Sequence, residues 1–186
     1  MLAEPTVPEE LMPPFTTIGE PGWDVALRGL LVDYGVPLPA VTAEAELSAL
    51  AARLPRHLPS EYIAFLRAFG PLDFDGVSLK PPTDAFLLGG AWFRDFLLQH
   101  GFGDIDEFLV IGDAGSDDYA AIDLRNGLVS FVSHDPPGFF NPVSFSDFIR
   151  LAVIDLALGR YGWGGVRVEE LATTLKQRLF GFPFWF

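Results

Sequence analysis

The dipeptide Asn126-Gly127, set between two apolar runs, constrains this chain more than any other feature. Both residues accept positive φ, the strongest short hairpin signal. The link Arg125-Asn126-Gly127 therefore joins Tyr119 to Leu124 and Leu128 to Ser133 as adjacent antiparallel strands. With Phe108 to Ile111 placed before them, the three runs predict a meander.

The pattern on either side is helical. Asp24 is expected to cap a short helix through Tyr34, with Trp23, Leu27, Leu30 and Leu31 on one side and Gly35 as its stop. Pro37 and Pro39 then form a stiff connector. Thr42 caps a second helix, with Glu44 and Glu46 near its positive end and Leu47, Leu50 and Leu54 on one face, ended by Pro55. A third begins at Pro59 or Ser60 and repeats Tyr62, Phe65, Leu66 and Phe69 until Gly70. Leu72 to Leu79 alternates like a short strand or two. Ala91 to Gln99, stopped by Gly101, reads as a helix whose aromatics would suit a buried strand almost as well. Ser144 or Ser146 opens a helix through Gly159, with Phe145, Phe148, Ile149, Ala152, Val153 and Leu156 facing inward. A last helix, Val168 to Leu179, carries the stripe Val168, Leu171, Leu175, Leu179. Helices, then a meander, then helices predict an α+β fold: an antiparallel sheet with helices packed mainly on one face.

Three segments also match a family pattern in order: Leu58-Pro59-Ser60-Glu61-Tyr62-Ile63-Ala64-Phe65-Leu66, then Ile111 to Asp123 with its Gly/Asp-rich turn, then Ser144-Phe145-Ser146-Asp147-Phe148-Ile149. The stretch from about Thr42 to Arg160 thereby resembles the SUKH superfamily, which includes bacterial immunity proteins against secreted toxins and fungal cell-wall-synthesis regulators. The resemblance rests on core anchors and turn residues, so it speaks first to fold. It implies the same α+β architecture. Residues 1–40 then form a proline-rich arm and short helix, 41–160 the SUKH-like domain, and 161–186 a helix and aromatic tail packed on it.

A chain of 186 residues buries roughly 70% of its unfolded surface, enough for one complete core. It contains no cysteine, which excludes disulfides, thiolate ligands and a thiol nucleophile and fits the cytoplasm. Met1 to Pro21 alternates prolines with acids and reads as a weakly ordered arm. It lacks the basic start of a secretory signal, so it is expected to stay in the mature protein. The apolar run Leu151-Ala152-Val153-Ile154 is cut by Asp155 far short of a membrane span. The formal charge of -13 repels phosphate and anionic lipid and favours a basic partner, against direct nucleic-acid or membrane binding. Asp104, Asp106, Glu107, Asp113, Asp117, Asp118 and Asp123 fall in one stretch with no Lys or Arg among them.

Candidate chemistry concentrates in Asp113-Ala114-Gly115-Ser116-Asp117-Asp118, whose carboxylates could hold a hard cation or serve as an acid/base pair. Counting Asp113 as a first calcium ligand puts Asp118 at the turn glycine and Leu124 at the closing glutamate, which rules out an EF-hand. The plainer reading is a polar turn in which Gly112 and Gly115 supply unusual φ. Ser133-His134-Asp135 names a hydrolase triad, but neighbours on a strand point to opposite faces. His57 and His100 are isolated, with no pair at metal-ligand spacing. Gly89-Gly90 and Gly112-x-x-Gly115 lack the partners of a phosphate loop, and Gly162-Trp163-Gly164-Gly165 reads as a joint. The tail Phe180 to Phe186 holds five aromatics, which dock on this chain's own core or on a second subunit or partner.

With no catalytic constellation, no cofactor and no metal set expected, the reading is a binding protein. The resemblance implies a cytoplasmic immunity protein that covers the active site of a nuclease- or deaminase-type toxin with a basic surface. Asp104, Asp106, Glu107, Asp113, Asp117 and Asp118 are the expected partner-binding residues, steering the toxin while nearby aromatics anchor it. The alternatives are a regulatory or scaffolding SUKH-like domain, and a hydrolase centred on Asp113, Asp117 or Asp118.

Overall fold

The computed structural model describes residues 5–74, 76–90, 92, 94–115, 117–161 and 166–181. In chain order they form α1 (Trp23–Asp33), α2 (Glu44–Ala52), α3 (Ser60–Phe69), β1 (Ser78–Leu79), β2 (Phe86–Leu87), α4 (Arg94–Gln99), β3 (Phe108–Asp113), β4 (Tyr119–Asp123), β5 (Val129–His134), β6 (Pro137–Val143), α5 (Phe145–Tyr161) and α6 (Val166–Phe180). Short 3-10 turns lie at Pro8–Leu11, Leu88–Gly90 and Ile105–Glu107. The sheet is antiparallel throughout, in the order β1-β3-β4-β5-β6, with β2 also paired to β3. The predicted α+β class and three-strand meander are what the chain adopts.

Period-2 alternation sends the strand residues to two separate cores. Leu109 and Ile111 of β3, Ala120 and Ile122 of β4, and Val129 and Phe131 of β5 meet Leu27, Leu31, Leu50, Tyr62, Phe65, Phe145 and Phe148 of α1, α2, α3 and α5. The opposite face, Phe108, Val110, Ala121 and Val132, is covered by Leu88, Ile105 and Leu97 of α4. Cover on both faces explains why Phe108-Leu109-Val110-Ile111 is unbroken apolar sequence. A third cluster sits behind α5, where Ile154, Ala157 and Leu158 meet Leu11 and Val168, Ala172 and Leu175 of α6.

The helix starts differ from expectation in their caps. Gly22, not Asp24, precedes α1, and Asp24 lies inside its first turn. Ala43, not Thr42, precedes α2, and the Glu46 carboxylate accepts the Ala43 N–H at 3.1 Å. Thr42 is instead buried, its N–H donating to the Leu66 carbonyl at 3.0 Å where the connector crosses the end of α3. That crossing demands Gly70: its φ is 69°, and a Cβ there would lie 2.2 Å from the Ala40 carbonyl oxygen.

From Pro5 onward the proline-rich arm is docked rather than loose. Leu11, Phe15 and Ile18 are buried, and the Ile18 N–H donates to Ser146 Oγ at 2.8 Å. Helix α4 begins at Arg94, and Ala91 and Phe93 of the expected helix lie outside the described residues. Leu72 to Leu79 yields one bridge, Asp73 to Ser78, and the two-residue β1. Between β5 and β6 lie only Asp135 and Pro136, and β6 starts at Pro137. The Gly162 to Gly165 joint and the tail from Phe182 lie outside the described residues, while Phe180 packs against the main core beneath the Arg150 guanidinium, 5.4 Å from its ring.

Candidate functional site

The fold divides the acidic stretch between the two ends of β3. At the start of β3, the Glu107 carboxylate accepts from Arg56 Nε at 2.6 Å and Nη2 at 3.2 Å. This hydrogen bonding holds the Glu107 pKa below its ordinary value. Asp104, in the left-handed region at φ 56°, lies 3.7 Å from Arg125 Nη1, and Asp106 lies 3.8 Å from Arg94 Nε. Arg125 also lies over the Phe108 ring, 5.3 Å from its centroid, and hydrogen-bonds Asp123. An open groove of about 480 Å³ beside Arg56 is lined by Ala51, Leu54, Pro55, His57 and Leu124.

At the other end, Asp113 closes β3 and Tyr119 opens β4 directly opposite it. Lys80, placed by its N–H bond to the Ile111 carbonyl at 2.7 Å, donates from Nζ to Asp113 at 2.6 Å. The connecting turn is closed by the Ala114 N–H to the Asp118 carbonyl at 2.9 Å and the Asp118 N–H to the Gly115 carbonyl at 2.8 Å. Gly115 and Asp117 take φ of 77° and 65°, and the Asp117 side chain is exposed. Asp118 is turned inward: it accepts the His134 N–H at 3.0 Å and pairs with His134 Nδ1 at 2.8 Å, clamping β5 to the turn.

Two aromatic side chains complete this end. The Trp92 ring makes a T-shaped contact with the His134 imidazole, centroids 5.5 Å apart. Tyr119 is braced by Phe86 at 5.6 Å. Burial first, then the Asp113 and Asp117 charges, raise the Tyr119 pKa. Held in this way, Trp92 is still 66% exposed.

The structure thus brings Asp113, Asp117 and Asp118 together, and Asp104, Asp106 and Glu107 together, but not the two groups with each other. Six residue steps of extended chain separate Glu107 from Asp113 by about 20 Å. The sequence showed no cation among the acids because Arg56, Lys80, Arg94 and Arg125 arrive from other elements. Trp92 was read as part of a helix face. The only signal for its role was a tryptophan beside Gly89-Gly90, where no helical period holds it inward.

These features define an α+β protein whose sheet presents a charged, partly aromatic rim at each end. No family model, curated protein or solved structure matches the chain. Among the described residues, no helix is long and apolar enough to cross a membrane, and no group of three His, Asp or Glu side chains is placed to hold a metal ion.

Proposed function

We propose that this chain is a non-catalytic binding protein of SUKH type, a cytoplasmic immunity protein that captures a toxin domain with a basic surface. The observation that carries the reading is the acidic turn between β3 and β4. It displays Asp113 and Asp117 on a rigid sheet end, beside an exposed tryptophan, in a chain of charge -13. Nuclease and deaminase domains that grip phosphate are basic there, so an acidic surface of this kind competes for the same face and accelerates encounter. The pairing of Asp113 with Lys80 and of Asp118 with His134 supports structural and binding roles over general acid/base work. The α+β fold and the three segments shared with the SUKH pattern support the family assignment.

The test is growth of a bacterial host expressing the protein encoded next to this one, with and without this chain. Growth lost with the neighbour alone and restored by this chain supports the proposal. A neighbour that is harmless alone, or equally toxic in its presence, removes it.

A further inference from the structure

We infer that Trp92 is the anchor of this interface and receives an arginine or lysine side chain of the partner, stacked on the indole face with its charge met by Asp117. The inference rests on the basic-partner reading above and adds to it the residue and the chemical group recognised. Its first support is orientation. The indole is in T-shaped contact with the His134 imidazole, which is itself fixed by Asp118, yet two-thirds of it faces water. A tryptophan braced while exposed has met part of the ordering cost of binding, and tryptophan is among the residues enriched at interface hot spots.

The second support is charge. Among the described residues, Asp113, Asp117 and Asp118 cluster at this end against the ammonium of Lys80. Lys80 is occupied by Asp113 and Asp118 is turned towards His134, which leaves the exposed Asp117 as the carboxylate presented to an incoming group. An aromatic ring at the same sheet end as an exposed carboxylate matches a guanidinium, which stacks flat on an indole and donates from its edge to a carboxylate; an ammonium fits less well because its charge is compact. Among the described residues, the opposite end of β3 offers no equivalent: its acids face Arg56, Arg94 and Arg125, and Arg125 already covers the Phe108 ring.

The test follows the indole N–H resonance of Trp92 in ¹⁵N-labelled full-length protein, assigned by its loss in Trp92→Phe. The probes are N-acetyl-arginine methylamide, its lysine counterpart, and the neutral isostere N-acetyl-citrulline methylamide. The arginine probe is expected to give a saturable shift, lysine a weaker one and citrulline none, with the arginine affinity falling at least about threefold in Asp117→Asn. Asparagine tolerates the left-handed backbone at that position. No saturable arginine shift, an equal response to citrulline, or indifference to Asp117→Asn overturns the inference. With the toxin in hand, Trp92→Ala should raise the dissociation constant about tenfold or more, as hot-spot truncations do. If wild type protects the host and Trp92→Ala binds as tightly, the inference fails while the immunity reading stands. If wild type does not protect, the immunity reading fails and the probe titration still decides the role of Trp92.

Discussion

The Asp123 carboxylate receives hydrogen bonds from the Arg125 N–H at 2.9 Å, Arg125 Nε at 2.8 Å, Arg125 Nη2 at 2.9 Å and Asn126 Nδ2 at 3.1 Å. Burial alone would raise its pKa, but these donors and the Arg125 charge outweigh burial and hold it below the ordinary 3.8. The sign of the pH effect follows. A carboxyl with a depressed folded pKa adds stability that is complete above its unfolded value and disappears as pH falls through the folded value. Asp123→Asn is therefore expected to lower the unfolding free energy by about 1–3 kcal/mol at pH 6. Urea denaturation at stepped pH should show that difference shrinking below pH 4. A difference that does not change with pH would assign the effect to lost geometry rather than charge. Asn126-Gly127 was visible in the sequence as a turn, and Gly127 does take φ 79°. Asp123 was not separable from exposed Asp113 and Asp117, because what buries it is Arg125 folding back over two residues.

Helices α5 and α6 meet through the Ile154, Ala157, Ala172 and Leu175 cluster, and within that contact Lys176 Nζ is bonded to Asp155. Lys176 is buried, and burial raises the Asp155 pKa against the pull of the lysine. When desolvation outweighs attraction in this way, the pair as a whole adds little, while either partner left alone is costly. Lys176→Met should thus destabilise by about 3–5 kcal/mol, whereas Asp155→Leu with Lys176→Met should match wild type or exceed it by about 1–4 kcal/mol. Chemical denaturation of the three proteins checks this, and a double variant as weak as Lys176→Met would show that the pair itself holds α6 in place. The stripe Val168, Leu171, Leu175 and Leu179 made α6 legible from spacing alone. The buried lysine beside it followed no pattern, since helical periodicity assigns it to the polar side. Strand β6 was missed for a related reason: Pro137, Asn141 and Pro142 are poor strand residues, and they are tolerated because β6 is an edge of the sheet.

Across the whole molecule, a single acidic patch in the sequence has become two rims at opposite ends of β3, and their separation sets how they would act on the basic partner of our proposal. About 20 Å exceeds the Debye length of roughly 8 Å at physiological ionic strength, but not the roughly 30 Å at 0.01 M. At low salt both rims feel an approaching basic protein; at physiological salt only the rim it touches does. The Trp92 end is the contact end in our proposal, so Asp113→Asn with Asp117→Asn should slow association with the toxin in both conditions. Asp104→Asn with Asp106→Asn should slow it only at low salt. Asp118 is left intact in both variants, because its bonds to His134 hold the turn to β5 and its loss would confound steering with folding. Stopped-flow association rates at the two ionic strengths decide the matter. Equal losses from both pairs at physiological salt would mean that the partner spans the whole sheet end to end, and a loss confined to the Asp104 pair would move the interface to the Arg56 groove. The sequence supplies the total charge of -13 that, in our proposal, draws a basic partner in. Which rim receives it depends on where Lys80, Arg56 and Arg125 land, and only the folded chain determines that.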